Sequence, residues 1–140
     1  MDLTGDIATA VDGAAARGHA PVLGYIGDDG YPVVSFRGTT QVRGPQQLAI
    51  WARKTDDGFA RAIADRPQIS LLFYEPESTG VKYLTFRGRA RVDPSANDEV
   101  YENSIDLEKA HDPDRNGVAV VIEVDSVFGY GPDGAFQLER

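Results

Sequence analysis

Apolar and polar residues alternate along positions 33–43, V-V-S-F-R-G-T-T-Q-V-R. Val34, Phe36, Thr40 and Val42 share one face, and Ser35, Arg37, Thr39, Gln41 and Arg43 share the other. The pattern predicts a half-buried strand with its apolar side inward and a polar ledge outward. Residues 48–53, L-A-I-W-A-R, form the next strand and run into Arg53-Lys54-Thr55-Asp56-Asp57-Gly58. Phe59, Ala62 and Ile63 then recur at helical spacing, with Asp57 as cap and Arg66-Pro67 as stop. Residues 68–74, rich in apolar and aromatic side chains, read as a further strand.

The flanking segments follow the same logic. Ile7, Ala10, Val11 and Ala14 make one stripe of a helix over 4–17, with Thr4 or Asp6 as cap and Gly18 as stop. A short strand at 20–27 leads through the Asp28-Asp29-Gly30 turn into Tyr31-Pro32, and Gly44-Pro45-Gln46-Gln47 makes another turn, so the meander is antiparallel. Beyond a loop at 75–80, residues 81–92 alternate: Leu84, Phe86, Ala90 and Val92 inward, Tyr83, Thr85, Arg87, Arg89 and Arg91 outward. Three arginines on one face require an acidic strand, a partner subunit or an anionic ligand opposite them. A polar helix is expected over 93–109, with Ser95 and Asp98 at capping-box spacing, then a loop at 111–117. A β-branched strand at 118–124, a turn at 129–134 and a last strand at 136–138 complete the chain. Seven or eight strands and three helices, in one domain spanning 1–140, give a mainly β barrel with capping helices.

Composition narrows the setting. A chain of 140 residues supports its own core, and the absence of cysteine removes disulfides and thiolate metal sites. The N-terminus lacks a basic start and apolar core, and no apolar run approaches the roughly 20 residues of a membrane span, so a soluble cytoplasmic protein is expected. The net charge of −8 argues against nucleic-acid binding. That charge is unevenly spread: residues 1–36 carry five acids and one base, 37–91 five and ten, and 92–140 twelve and three. A basic middle in an acidic chain points to a local site for a small anionic ligand.

Two motifs match on paper only. Asp112-Pro113-Asp114-Arg115-Asn116-Gly117 followed by Glu123 satisfies the calcium-loop pattern, but a β-branched strand stands where the second helix of that unit belongs, so an Asx-rich turn is expected. Gly129-Tyr130-Gly131-Pro132-Asp133-Gly134 fits the dinucleotide fingerprint but has no long helix after it, so Pro-Asp-Gly reads as a hairpin turn. His19 and His111 have no metal or triad setting.

The order of these elements, with Gly30-Tyr31-Pro32-Val33-Val34, the segment from Leu48 to Pro67, and Phe86-Arg87-Gly88-Arg89-Ala90, resembles the pyridoxamine 5'-phosphate oxidase-like, FMN-binding split-barrel family over roughly residues 5–130. The resemblance implies a six-stranded Greek-key split barrel and a homodimer with cofactor sites at the subunit interface. It implies an FMN-dependent oxidoreductase acting on a small-molecule substrate. Carried over position by position, it puts Arg37 and Thr39 near the ring or ribityl chain, Trp51 and Ala52 beside it, and Arg53, Lys54 and Thr55 at the phosphate. Those types suit the task, since arginine offers a planar fork, lysine a point charge and threonine a hydroxyl. Where the family commonly has serine, arginine or lysine before the short helix, this chain has Asp57, Gly58 and Phe59, so either Arg53, Lys54 and Arg61 substitute or the site binds a different ligand or none. A deazaflavin, F420, is the alternative cofactor, its acidic tail suited to Arg87, Arg89 and Arg91. A non-catalytic flavin- or small-ligand-binding dimer is the alternative outside enzymes. No catalytic residue is singled out.

Overall fold

Turn chemistry and strand period set the order of elements in the computed structural model, which describes residues 1–54 and 58–140. Helix α1 (Asp6–Asp12) precedes β1 (Val22–Ile26) and β2 (Pro32–Phe36), joined at the Asp28-Asp29-Gly30 turn, where Gly30 takes φ 86°. The chain continues with β3 (Gln41–Val42), β4 (Gln47–Ala52), α2 (Phe59–Asp65), β5 (Gln68–Tyr74) and β6 (Tyr83–Val92). A single 3-10 turn (Pro94–Ala96), α3 (Asn97–Glu102), α4 (Asp106–Lys109), β7 (Val118–Gly131) and β8 (Gly134–Glu139) follow.

All pairings are antiparallel, in the order β2-β1-β5-β6-β7-β4-β3, with β8 also on β7. The long β7 is where the sheet splits. One edge lies along β6, while the other pairs with β4 through Val118 to Glu123 and with β8 through Ser126 to Gly131. Between these halves Asp125 is an extra residue, because Gly88 faces Val124 and Arg87 faces Ser126. Glycine is needed at 88, since a Cβ there would lie 2.5 Å from the Glu123 carbonyl oxygen.

The sheet wraps one core. Leu23, Leu48, Ile50, Leu71, Phe73, Leu84, Phe86, Ile122 and Val124 meet Val11 of α1 and Phe59 and Ile63 of α2 within it. A smaller cluster lies on the other side of β4 and β7, where Ala49, Trp51, Ala119 and Val121 pack under Ala96, Val100 and Tyr101. Strand β4 is therefore buried on both faces, which explains its continuous apolar sequence.

Several expectations need correction. The run 33–43 is not one strand: β2 ends at Phe36 and β3 begins at Gln41, and β2 pairs β1 while β3 pairs β4. Its facing is inverted, with Val34 74% and Phe36 77% exposed while Arg37 is only 6% exposed. Helix α1 is shorter than expected and is entered through Gly5 without a side-chain cap, because Thr4 bonds Asp2 instead. The polar helix breaks into three pieces, and Asp93, not Ser95, caps the first by accepting the Ser95 N–H. Strand β7 runs seven residues beyond the expected end, to the hairpin at Pro132-Asp133-Gly134. Asp57 as a cap of α2 lies outside the described residues; Gly58, at φ 89°, occupies the N-cap. Among the described residues, no helix is long and apolar enough to cross a membrane.

Candidate functional site

The break between β2 and β3 makes the site. Residues 37–40 cross over the end of β4, where the Thr39 hydroxyl accepts the Trp51 N–H at 2.9 Å and donates to the Trp51 carbonyl at 3.4 Å. One side chain thus replaces a strand partner at the edge of β4. The crossing is fixed further by Thr40, whose hydroxyl donates to the Arg37 carbonyl at 2.8 Å, and by the buried Gln41, whose amide donates to the Thr39 and Val100 carbonyls.

Four of the residues singled out from the sequence come together here. Arg37, Thr39, Trp51 and Arg53 line one cleft of about 140 Å³ with Ser35, Phe36, Gly38 and Glu108. The Arg37 side chain turns inward: its Nε donates to the Ser35 hydroxyl at 3.0 Å and its guanidinium carbon lies 4.9 Å from the Phe59 ring centroid. Such a contact is a cation–π pair. Arg53 is exposed at the mouth. Ala52 points into the barrel core and Lys54 stands exposed at the turn beyond. Thr55 lies outside the described residues. Arg61 is held by Asp28 at 2.6 Å, beside the β1–β2 turn.

Trp51 is anchored from below. Its indole N–H donates to Asp112 Oδ2 at 3.0 Å and its ring meets Tyr101 edge-on at 5.2 Å. Asp112 also accepts the backbone N–H groups of Asn116 and Gly117, at 2.9 and 2.8 Å, and the Tyr101 hydroxyl donates to its carbonyl at 2.9 Å. The calcium-like sequence is thus an Asx-centred turn that fixes a tryptophan, while Glu123 lies on β7 and accepts from Gln47. Burial pushes the Asp112 carboxyl up, but the Asn116 N–H, the Trp51 indole, the Gly117 N–H and the Arg53 charge outweigh it and hold the group below its ordinary value.

Glu108 was not among the candidates. It comes from α4, a single turn with no buried residue, and packs its carboxylate so closely on Gly38 that a Cβ there would overlap it. His111 Nδ1 lies 3.6 Å from Glu108. The cleft therefore sets one carboxylate among two guanidiniums, which no sequence spacing disclosed.

Phe36 connects this cleft to a wider surface. On the outer face the register aligns Phe36, Val22, Leu72, Thr85 and Phe128 across five strands, with Tyr74, Tyr83 and Tyr130 in a parallel row. Phe36, Tyr74, Phe128 and Tyr130 are all exposed, and Leu72 is 37% exposed.

No family model matches the sequence, and no curated protein matches it. Solved structures do match. The general stress protein 26 of Bacillus anthracis superposes with a TM-score of 0.69 at 18% identity, covering 100% of both chains. A protein related to general stress protein 26, of the pyridoxinephosphate oxidase family, from Clostridium acetobutylicum gives 0.66 at 14% identity, covering 99% of this chain and 96% of its own. An F420 reductase gives 0.59 at 15% identity over 85% and 93%. The fold is thus that of the pyridoxamine 5'-phosphate oxidase-like split barrels, with the mainly β architecture expected; the described residues form eight strands where six were implied, β3 being only two residues long.

Proposed function

We propose that the chain is a homodimeric oxidoreductase that holds FMN in the cleft of Arg37, Thr39, Trp51 and Arg53, completed by a second copy. The observation that carries this reading is the position of Phe36, which lines the cleft and stands 77% exposed at the edge of the apolar outer face. An exposed contiguous apolar surface of this kind marks an interface. A cleft of about 140 Å³ is small beside the roughly 300–1,000 Å³ of sites that enclose a ligand of this size. A copy packed on Val34 and Phe36 supplies the missing wall.

The residues present fit the group. The Arg53 fork and the Lys54 ammonium are exposed beside the cleft and suit a phosphate, while the nearly buried Arg37 and Trp51 line the cleft where a ring would lie. When bound, FMN supplies the hydride or electron transfer, and the protein contributes binding, orientation and exclusion of water. F420, named for one structural neighbour, is the second cofactor these cations suit. Of the outward arginines only Arg87 is left to support it, because Arg89 pairs with Asp125 at 2.8 Å and Arg91 with Glu123 at 3.7 Å.

The test is the absorption spectrum of the purified protein with mass spectrometry of any released small molecule, followed by titration with both cofactors. FMN release or uptake supports the reading, and release of the deazaflavin transfers it to F420. A colourless protein that takes up neither overturns this reading in favour of a binding module for another ligand or a scaffold whose cofactor site has decayed.

A further inference from the structure

The outer face carries one cation that no described residue neutralises. Of the three outward arginines of β6, Arg89 donates to Asp125 at 3.1 and 2.8 Å and Arg91 lies 3.7 Å from Glu123. Arg87 has no ion pair among the described residues. The register sets it in a row with Val34, Gly24 and Ser70. Gly24 and Ser70 are small, so between Val34 and Arg87 the sheet surface sinks into a groove of about 360 Å³. Gln68 and Ile26 border it. Asp125 does too, but Arg89 engages both of its carboxylate oxygens, at 3.1 and 2.8 Å, which leaves the charge of Arg87 unmatched in the groove.

An unpaired guanidinium is tolerated in water. Under a second copy it loses that water and needs an anion. We infer that this groove is a second small-molecule site, taking a carboxylate with a compact apolar body: the carboxylate on Arg87, the body over Gly24 and Ser70 against Val34. The volume lies within the range of small-ligand sites. A single net charge with apolar walls suits a monocarboxylate better than a phosphate dianion. The inference rests on the proposal that a second copy covers this face.

The probe is 4-fluorobenzoate, followed by fluorine NMR on the full-length protein, with sedimentation velocity run on the same samples. Binding is expected, weakened at least about tenfold in Arg87→Gln and abolished in Gly24→Val. A Cβ on Gly24 would find its nearest atoms at 3.9–4.0 Å, so a side chain can start from this position into the groove. Arg91→Gln, whose charge is paired with Glu123, should leave the probe affinity unchanged. A dimer that does not bind the probe overturns the groove and leaves the dimer standing. Binding that survives Arg87→Gln also overturns it. A monomer that binds the probe through Arg87 supports the groove and overturns the dimer, and a monomer that binds nothing overturns both.

Discussion

The indole of Trp51 donates its N–H to the carboxylate of Asp112, 3.0 Å away and sixty-one residues later in the chain. This bond joins the end of β4 to the turn before β7, and so fixes one wall of the candidate cleft. Asp112 is buried and satisfies two backbone N–H groups besides. Asp112→Ala leaves all three donors without their acceptor and should cost about 2–4 kcal/mol in urea unfolding. Trp51→Phe removes one donor only and should cost less.

The same bond carries a pH dependence. The Asp112 carboxyl is held below its ordinary value in the folded protein, so its contribution is present above the unfolded-state value of about 4 and is lost as pH falls through the folded value. The stability gap between the wild type and Asp112→Ala should therefore be full at neutral pH and narrow progressively below about pH 4. A gap that stays constant down to pH 2.5 would falsify the role assigned to the ionised carboxylate.

Thr39→Val is nearly isosteric but leaves the buried Trp51 N–H without its acceptor at 2.9 Å. A loss of about 1–3 kcal/mol is expected, with Thr39→Ser recovering most of it. Equal stability of valine and serine variants would mean that the crossing at 37–40 is held by packing alone.

What the sequence disclosed divides along the range of the interactions. Strand β5 and helix α2 have the predicted boundaries, because alternation, helical spacing and the Arg66-Pro67 stop act within a few residues. The alternation of β2 was legible too, but not its sign. Val34 and Phe36 are apolar and point outward, while Arg37 points in and stacks on Phe59; which face is the core depends on strands far away. Arg37, Thr39, Trp51 and Arg53, singled out through the resemblance, meet in one cleft, whereas Ala52 and Lys54 do not line it. Glu108 arrives from a separate one-turn helix whose position depends on the packing of α3, and no local pattern marks it.

Exposure of Val34 and Phe36 makes them a clean test of the interface. A charge at either position leaves the barrel core untouched, so Phe36→Asp or Val34→Asp should stay folded, with a melting temperature lowered only by the lost association and therefore no longer dependent on protein concentration. Both should sediment as monomers at concentrations where the wild type is a dimer. Cofactor affinity should fall with the loss of the dimer, because Phe36 lines the cleft. Aspartate variants that remain dimeric would move the interface to another face.

The carboxylate in the cleft gives the last prediction. Arg37 and Arg53 attract an anion while Glu108, against Gly38, repels it, so the three side chains act on a phosphate with opposing signs. Arg53→Ala should weaken FMN by about tenfold, roughly 1.4 kcal/mol, and flatten the dependence of affinity on salt. Glu108→Gln should do the reverse, tightening FMN about fivefold, roughly 1 kcal/mol, while riboflavin, which lacks the phosphate, responds much less. The comparison of the two ligands separates charge from shape: if Glu108→Gln changes both affinities equally, the glutamate acts by packing on Gly38. If Arg53→Ala changes neither, the phosphate is held elsewhere on the chain.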